Sequence, residues 1–132
     1  MKNVKTILNT DCYKAVSISR EFEINQDRPV KEGGGNTAPT PVEYLLAAIG
    51  GCVSMTIRAF VEKRGWDVGD ITVNVFQKNR LKSKGLETYL IEEISFEKDV
   101  TEKQKEQLLL IAGKCPVAQM VKTETRIETK II

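Results

Sequence analysis

The residues of this chain best suited to chemistry are two cysteines, Cys52 and Cys115. A thiolate is a nucleophile that oxidises reversibly, and two thiols that meet can close a disulfide. Cys115 has the more telling neighbours. It directly precedes Pro116, and proline favours the first position of a helix, so Cys115 falls at the N-cap. A sulfur there faces unpaired amide N–H groups and the positive end of the helix dipole. Both should lower its pKa, and Lys114 adds a nearby positive charge. The same Cys-Pro step could equally begin a helix with no chemistry. Cys52 sits near the middle of the longest apolar run, TPVEYLLAAIGGCVSMTIRAFVEKR, and taken alone reads as buried packing. Cys12, beside the turn Asn9-Thr10-Asp11, reads as an incidental exposed thiol.

Composition narrows the chemistry further. There is no histidine, which excludes Cys-His and Ser-His-Asp arrangements within one chain and removes the commonest ligand of a catalytic zinc. Three scattered cysteines without a C-x-x-C pair make a poor metal site, so neither a metal nor a cofactor is expected. Twenty Lys and Arg against 18 Asp and Glu give a net charge of +2, and aromatics make up only 6%. That balance offers no footprint for nucleic acid and none for an anionic membrane. The N-terminal MKNVKTILNTDCYK is broken by Lys5, Asn9 and Asp11 and does not read as a signal peptide. The uncharged part of the apolar run, Tyr44 to Ile57, falls short of the ~20 residues that cross a bilayer. A cytoplasmic location is therefore expected, where thiols stay reduced.

The elements that must position the cysteines follow from patterning. Residues 1–40 supply N-terminal strands and a Gly-rich loop. Val4, Thr6 and Leu8, then 15–18 and 21–24, alternate in a way that predicts a hairpin or three-stranded meander. Pro29, Gly33-Gly34-Gly35 and Pro39 predict a flexible connection. It is no phosphate cradle, since no Gly-Lys-Ser/Thr sequence follows.

A helix is predicted over 41–64. Thr40 is a good N-cap, Pro41 fits the first turn, and Glu43 completes a capping box. Leu45, Ala48, Ile49, Cys52, Met55, Thr56, Ala59 and Phe60 follow helical spacing as a buried face. Val42, Leu46, Val53 and Ile57 make most of the remainder apolar, which suggests a central helix covered on several sides. Gly50-Gly51 inside it requires a reason: a close backbone crossing, or room beside Cys52.

Residues 70–132 then supply strands, helices and a closing strand. Strands are expected at 71–78 and 87–98, flanking a polar turn from Arg80 to Gly85. Thr101 and Gln104 form a second capping box, and that helix ends at Gly113. A short helix covers 116–122, and Thr125, Ile127, Thr129 and Ile131 alternate with charges as the closing strand. The order is α+β, in a single domain spanning 1–132.

The long helix with Gly51-Cys52, Thr40-Pro41 and Leu45-Leu46-Ala47-Ala48, followed by Cys115-Pro116-Val117, resembles the OsmC/Ohr superfamily of thiol-dependent organic hydroperoxide reductases and their relatives. The resemblance runs from about Thr37 to the end of the chain. It implies antiparallel sheets wrapped around two long central helices in an intertwined homodimer, with active sites at the subunit interface. It implies Cys52 as the peroxidatic nucleophile, Cys115 as the resolving thiol, an organic hydroperoxide as substrate and a dithiol reductant such as a lipoylated protein. No cofactor is implied. The sequence also departs from the peroxidase pattern. Val42 occupies the position of an expected acid, with Glu43 one step on, and no arginine lies between Asn9 and Tyr13; Arg20 or Arg28 could substitute. The alternative is a non-peroxidase OsmC-like thiol protein that binds a small hydrophobic ligand or acts as a redox sensor.

Overall fold

The computed structural model describes residues 2–132. The fold is α+β: β1 (Lys5–Leu8), β2 (Ala15–Ser19), β3 (Phe22–Gln26), α1 (Pro41–Arg64), β4 (Ile71–Lys82), β5 (Gly85–Phe96), α2 (Glu102–Ala112) and α3 (Pro116–Lys122). The chain forms two compact units, one up to Leu45 and one from Leu46 to Ile132.

In the first unit β1, β2 and β3 make the expected antiparallel meander, with Thr6 opposite Ser17 and Ser17 opposite Ile24. Ser17 is buried, and its hydroxyl is satisfied by Thr6 Oγ1 at 2.7 Å and Gln26 Nε2 at 2.9 Å. The following loop is not the flexible connection expected from its glycines. It is organised on buried Asp27, whose carboxylate accepts from the Arg28 amide and from both the amide and the hydroxyl of Thr37. A Cβ at Gly34 would stand 2.1 Å from the Arg28 carbonyl oxygen, so glycine is required there by close backbone approach. Tyr44, in the first turn of α1, donates its hydroxyl to the Asn25 carbonyl.

In the second unit α1 buries Ile49, Val53, Ile57 and Val61, a stripe at strict i, i+4 spacing. These pack with Val68, Leu108, Ala112, Cys115 and Ala118 into one core, and β4 and β5 lay Val73, Val75, Leu90 and Ile94 against it. The expected face was rotated from this one: Leu45 and Ala59 are exposed and Met55 is 73% exposed. Only Ile49 of that set is fully buried. By length and apolarity alone α1 would pass for a membrane span; its Ile49 to Val61 stripe is the core of this unit. The helix ends in a Schellman motif at Gly65 (φ 68°), with Gly65 N–H on Glu62 and Trp66 N–H on Val61.

Three further expectations are corrected. The polar stretch from Arg80 to Gly85 is mostly strand, because β4 and β5 pair out to Lys82 and Gly85 around a tight turn at Ser83-Lys84. Backbone pairing continues there although both faces meet solvent. Gly113 closes α2 without a left-handed residue (φ −65°), and the chain turns directly into α3. Residues 124–132 form no strand, and Ile127 is 87% exposed. An alternating pattern gives a segment the capacity for a strand, but the strand needs an edge to bond with, and these residues pair with none among those described.

Candidate active site

Cys52 lies half-buried on α1, packed against the core. The two glycines before it have different reasons. A Cβ at Gly50 would touch Val75 Cγ2 at 3.4 Å and the Val73 carbonyl at 3.6 Å, so Gly50 lets β4 pack closely. A Cβ at Gly51 would meet nothing within 4 Å.

Cys115 arrives by a different route. After α2, Lys114 N–H bonds to Ile111 and Cys115 N–H to Ala112, a tight turn that drives the cysteine into the core. Pro116 then starts α3, and Cys115 is its N-cap, as the sequence predicts. Its sulfur accepts the Ala118 amide at 3.5 Å and is fully buried. The sequence places Cys52 and Cys115 far apart; the fold brings their side chains into a hydrogen bond.

The electrostatics of Cys115 oppose the expectation. Burial, followed by the hydrogen bond with Cys52, pushes its thiol above the ordinary value, while the Ala118 and Val117 amides pull the other way and lose. The helix start is present, but removing a charge from water in a fully buried site costs more than two weak amide contacts return. Lys114 is exposed, where solvent screens it.

The other candidates are engaged locally. Glu43 accepts from the Thr40 amide and hydroxyl, and Thr40 Oγ1 accepts the Glu43 amide at 3.3 Å, which is the capping box. The Arg28 guanidinium lies 4.3 Å from the centre of the Tyr13 ring, and Arg20 lies 4.9 Å from that of Phe22. Cys12 is exposed. Among the described residues no cluster of three His, Cys, Asp or Glu could hold a metal. A cavity of about 370 Å³, which sequence reasoning did not foresee, is lined by Ile57, Ile94, Phe96, Val100 and Leu108 together with Lys98 and Lys105. Its lining comes from three separated elements, α1, β5 and α2, and the loop between the last two, so no local pattern announces it.

Two interacting thiols, one on a long apolar helix and one capping a Cys-Pro helix start in an α+β fold, make up the candidate site. The chain belongs to the OsmC-like protein family, whose model matches residues 33–130. Solved structures with the same fold include an OsmC-like protein of unknown function from Vibrio cholerae, at TM-score 0.72 and 17% identity over 94% of this chain and 95% of that one. A hypothetical protein from Aquifex aeolicus aligns at 0.71 and 25% identity, covering 92% and 87%. An organic hydroperoxide resistance protein from Legionella pneumophila aligns at 0.70 and 14% identity, covering 92% and 89%. Comparison with curated proteins found no match.

Proposed function

We propose that this protein reduces organic hydroperoxides through a two-cysteine cycle, with Cys52 as the attacking thiolate and Cys115 as the resolving thiol. The observation that carries the reading is the hydrogen bond between the two side chains. Burial and that bond together favour the protonated form of Cys115, which leaves Cys52 as the thiol to attack first. Full burial also keeps Cys115 from meeting a peroxide first.

The cycle balances without a metal. The Cys52 thiolate attacks one peroxide oxygen, the O–O bond breaks, and the alkoxide takes a proton to leave as the alcohol. Cys52 is then a sulfenic acid. The Cys115 sulfur attacks it and gives up its proton, the S–S bond forms, and water leaves. An external dithiol reduces the disulfide by exchange and ends as a disulfide itself; by resemblance a lipoylated protein fills this role.

Residues 1–132 act in this reading as a single OsmC-like domain within a cytoplasmic homodimer. Exposed Met55 on α1 and exposed Leu109 and Leu110 on α2 support a partner surface. A second reading, a thiol protein that binds a small hydrophobic ligand or senses oxidation, is favoured by the apolar cavity beside Ile57.

A peroxidase assay with cumene hydroperoxide and dihydrolipoamide separates the two. Wild type turns over, Cys52→Ser consumes no peroxide, and Cys115→Ser stops after one oxidation. Peroxide consumption that persists in Cys52→Ser overturns the proposal.

A further inference from the structure

The net charge of +2 is not spread evenly over the molecule. Residues 77–90 carry Lys78, Arg80, Lys82 and Lys84 against one acid, Glu87, which leaves the rest of the chain net negative. These residues are the distal half of the β4–β5 ribbon. Its last six residue pairs, from Gln77↔Leu90 to Lys82↔Gly85, extend about 20 Å at the usual rise per residue. Every residue from 77 to 88 is exposed.

Two features make this arm more than a solvated hairpin. Leu81 and Leu86 face each other across the strands on the same side, and they are 83% and 75% exposed. They continue the face that carries Val73 and Val75 over the core, but at the tip no core lies beneath them. On the opposite face Tyr89 is flanked by cations, with Arg80 4.7 Å and Lys82 5.6 Å from the ring centre. Glu87 is held in an ion pair with Lys82 and accepts the Tyr89 hydroxyl.

We propose that the β4–β5 arm docks the protein on an anionic lipid surface. Leu81 and Leu86 enter the boundary between headgroups and acyl chains, and Arg80, Lys82 and Lys84 contact lipid phosphates. Charge complementarity selects a polyanion, and the leucine pair selects among polyanions. A nucleic acid or an acidic protein would satisfy the cations yet leave two opposed leucines in water. A membrane interface takes both, and the tyrosine ring with its polar end suits the same depth. Charge together with an apolar insertion is also the pairing that stable peripheral anchoring requires.

The full-length protein is sedimented with vesicles of phosphatidylcholine alone and of phosphatidylcholine mixed with phosphatidylglycerol. Binding to the anionic vesicles is expected to exceed binding to the neutral ones by at least about tenfold and to weaken with added salt. The triple variant Arg80→Gln, Lys82→Gln, Lys84→Gln should lose about tenfold or more of that binding. The double variant Leu81→Ser, Leu86→Ser should also bind more weakly. Both should keep the wild-type circular dichroism spectrum and the wild-type thiol loss on oxidation. Equal binding to neutral vesicles, or anionic binding unchanged by either variant, overturns the proposal. So does retention of a DNA duplex that is indifferent to the leucine substitutions, which would make the arm a simple polyanion site.

Discussion

The Cys115 thiol hydrogen-bonds with the Cys52 side chain while capping α3, and its burial with that bond holds it above the ordinary thiol pKa. A raised folded-state pKa favours the protonated form. The stability this contributes is fully present below the unfolded thiol pKa and is lost as pH rises through the folded one. Urea midpoints should therefore be flat through about pH 8 and fall above about pH 9, a fall that Cys115→Ser removes. Iodoacetamide labelling read by mass spectrometry should show Cys115 inert at neutral pH in the folded protein and reactive only when the medium is alkaline.

The two sides of α1 should respond differently to substitution. Ile57 is fully buried, and Ile57→Ala should cost about 2–5 kcal/mol of unfolding free energy through lost burial and the cavity left behind. Met55→Ala should leave the fold of a single chain nearly unchanged. Met55→Glu instead places a charge on the proposed partner surface and should turn a dimer into monomers by light scattering. A stable dimer in Met55→Glu would remove that surface from the interface.

Thr101 caps α2 with both halves of its box in place: its hydroxyl accepts the Gln104 amide and its own amide donates to the Gln104 side chain. Thr101→Ala should cost about 0.5–2 kcal/mol in a chemical melt, and Thr101→Ser should recover most of it.

The Asp27 carboxyl is lowered to about 2, chiefly by the Thr37 hydroxyl and then by the Thr37 and Arg28 amides. A depressed folded-state pKa contributes stability that is present above the unfolded value of 3.8 and lost as pH falls toward about 2. Hydrogen exchange of the Arg28 and Thr37 amides should accelerate across that window relative to the intrinsic rate. Asp27→Asn should abolish the acid-dependent step, and protection that is independent of pH would contradict this account of the loop.

Much of the architecture was legible in the sequence because it is written locally. The caps at Thr40 and Thr101, the helix start at Pro116, and the alternation of β2 each depend on a few neighbouring residues. What was missed depends on partners far along the chain. The apolar positions of α1 surround the helix, so periodicity could not choose the Val53 to Val61 stripe over the side carrying Met55. The N-cap setting of Cys115 was visible in Pro116, but its burial was not, and burial reversed the direction of its pKa. Asp27 gave no sign that Thr37 would satisfy it and order the glycine loop. The total charge concealed the concentration of Lys78, Arg80, Lys82 and Lys84 on one arm. The Thr125 to Ile131 alternation was a sound strand pattern without an edge among the described residues to complete it.

The central claim is that Cys52 and Cys115 form one redox unit, and counting thiols tests it most directly. The reduced protein is treated with a stoichiometric amount of cumene hydroperoxide, free thiols are titrated, and the lost ones are mapped by peptide mass spectrometry. The account predicts the rapid loss of two thiols per chain, joined as a Cys52–Cys115 disulfide, with Cys12 still reduced. Thiols that persist for hours, or a disulfide that involves Cys12 in place of Cys115, would contradict it.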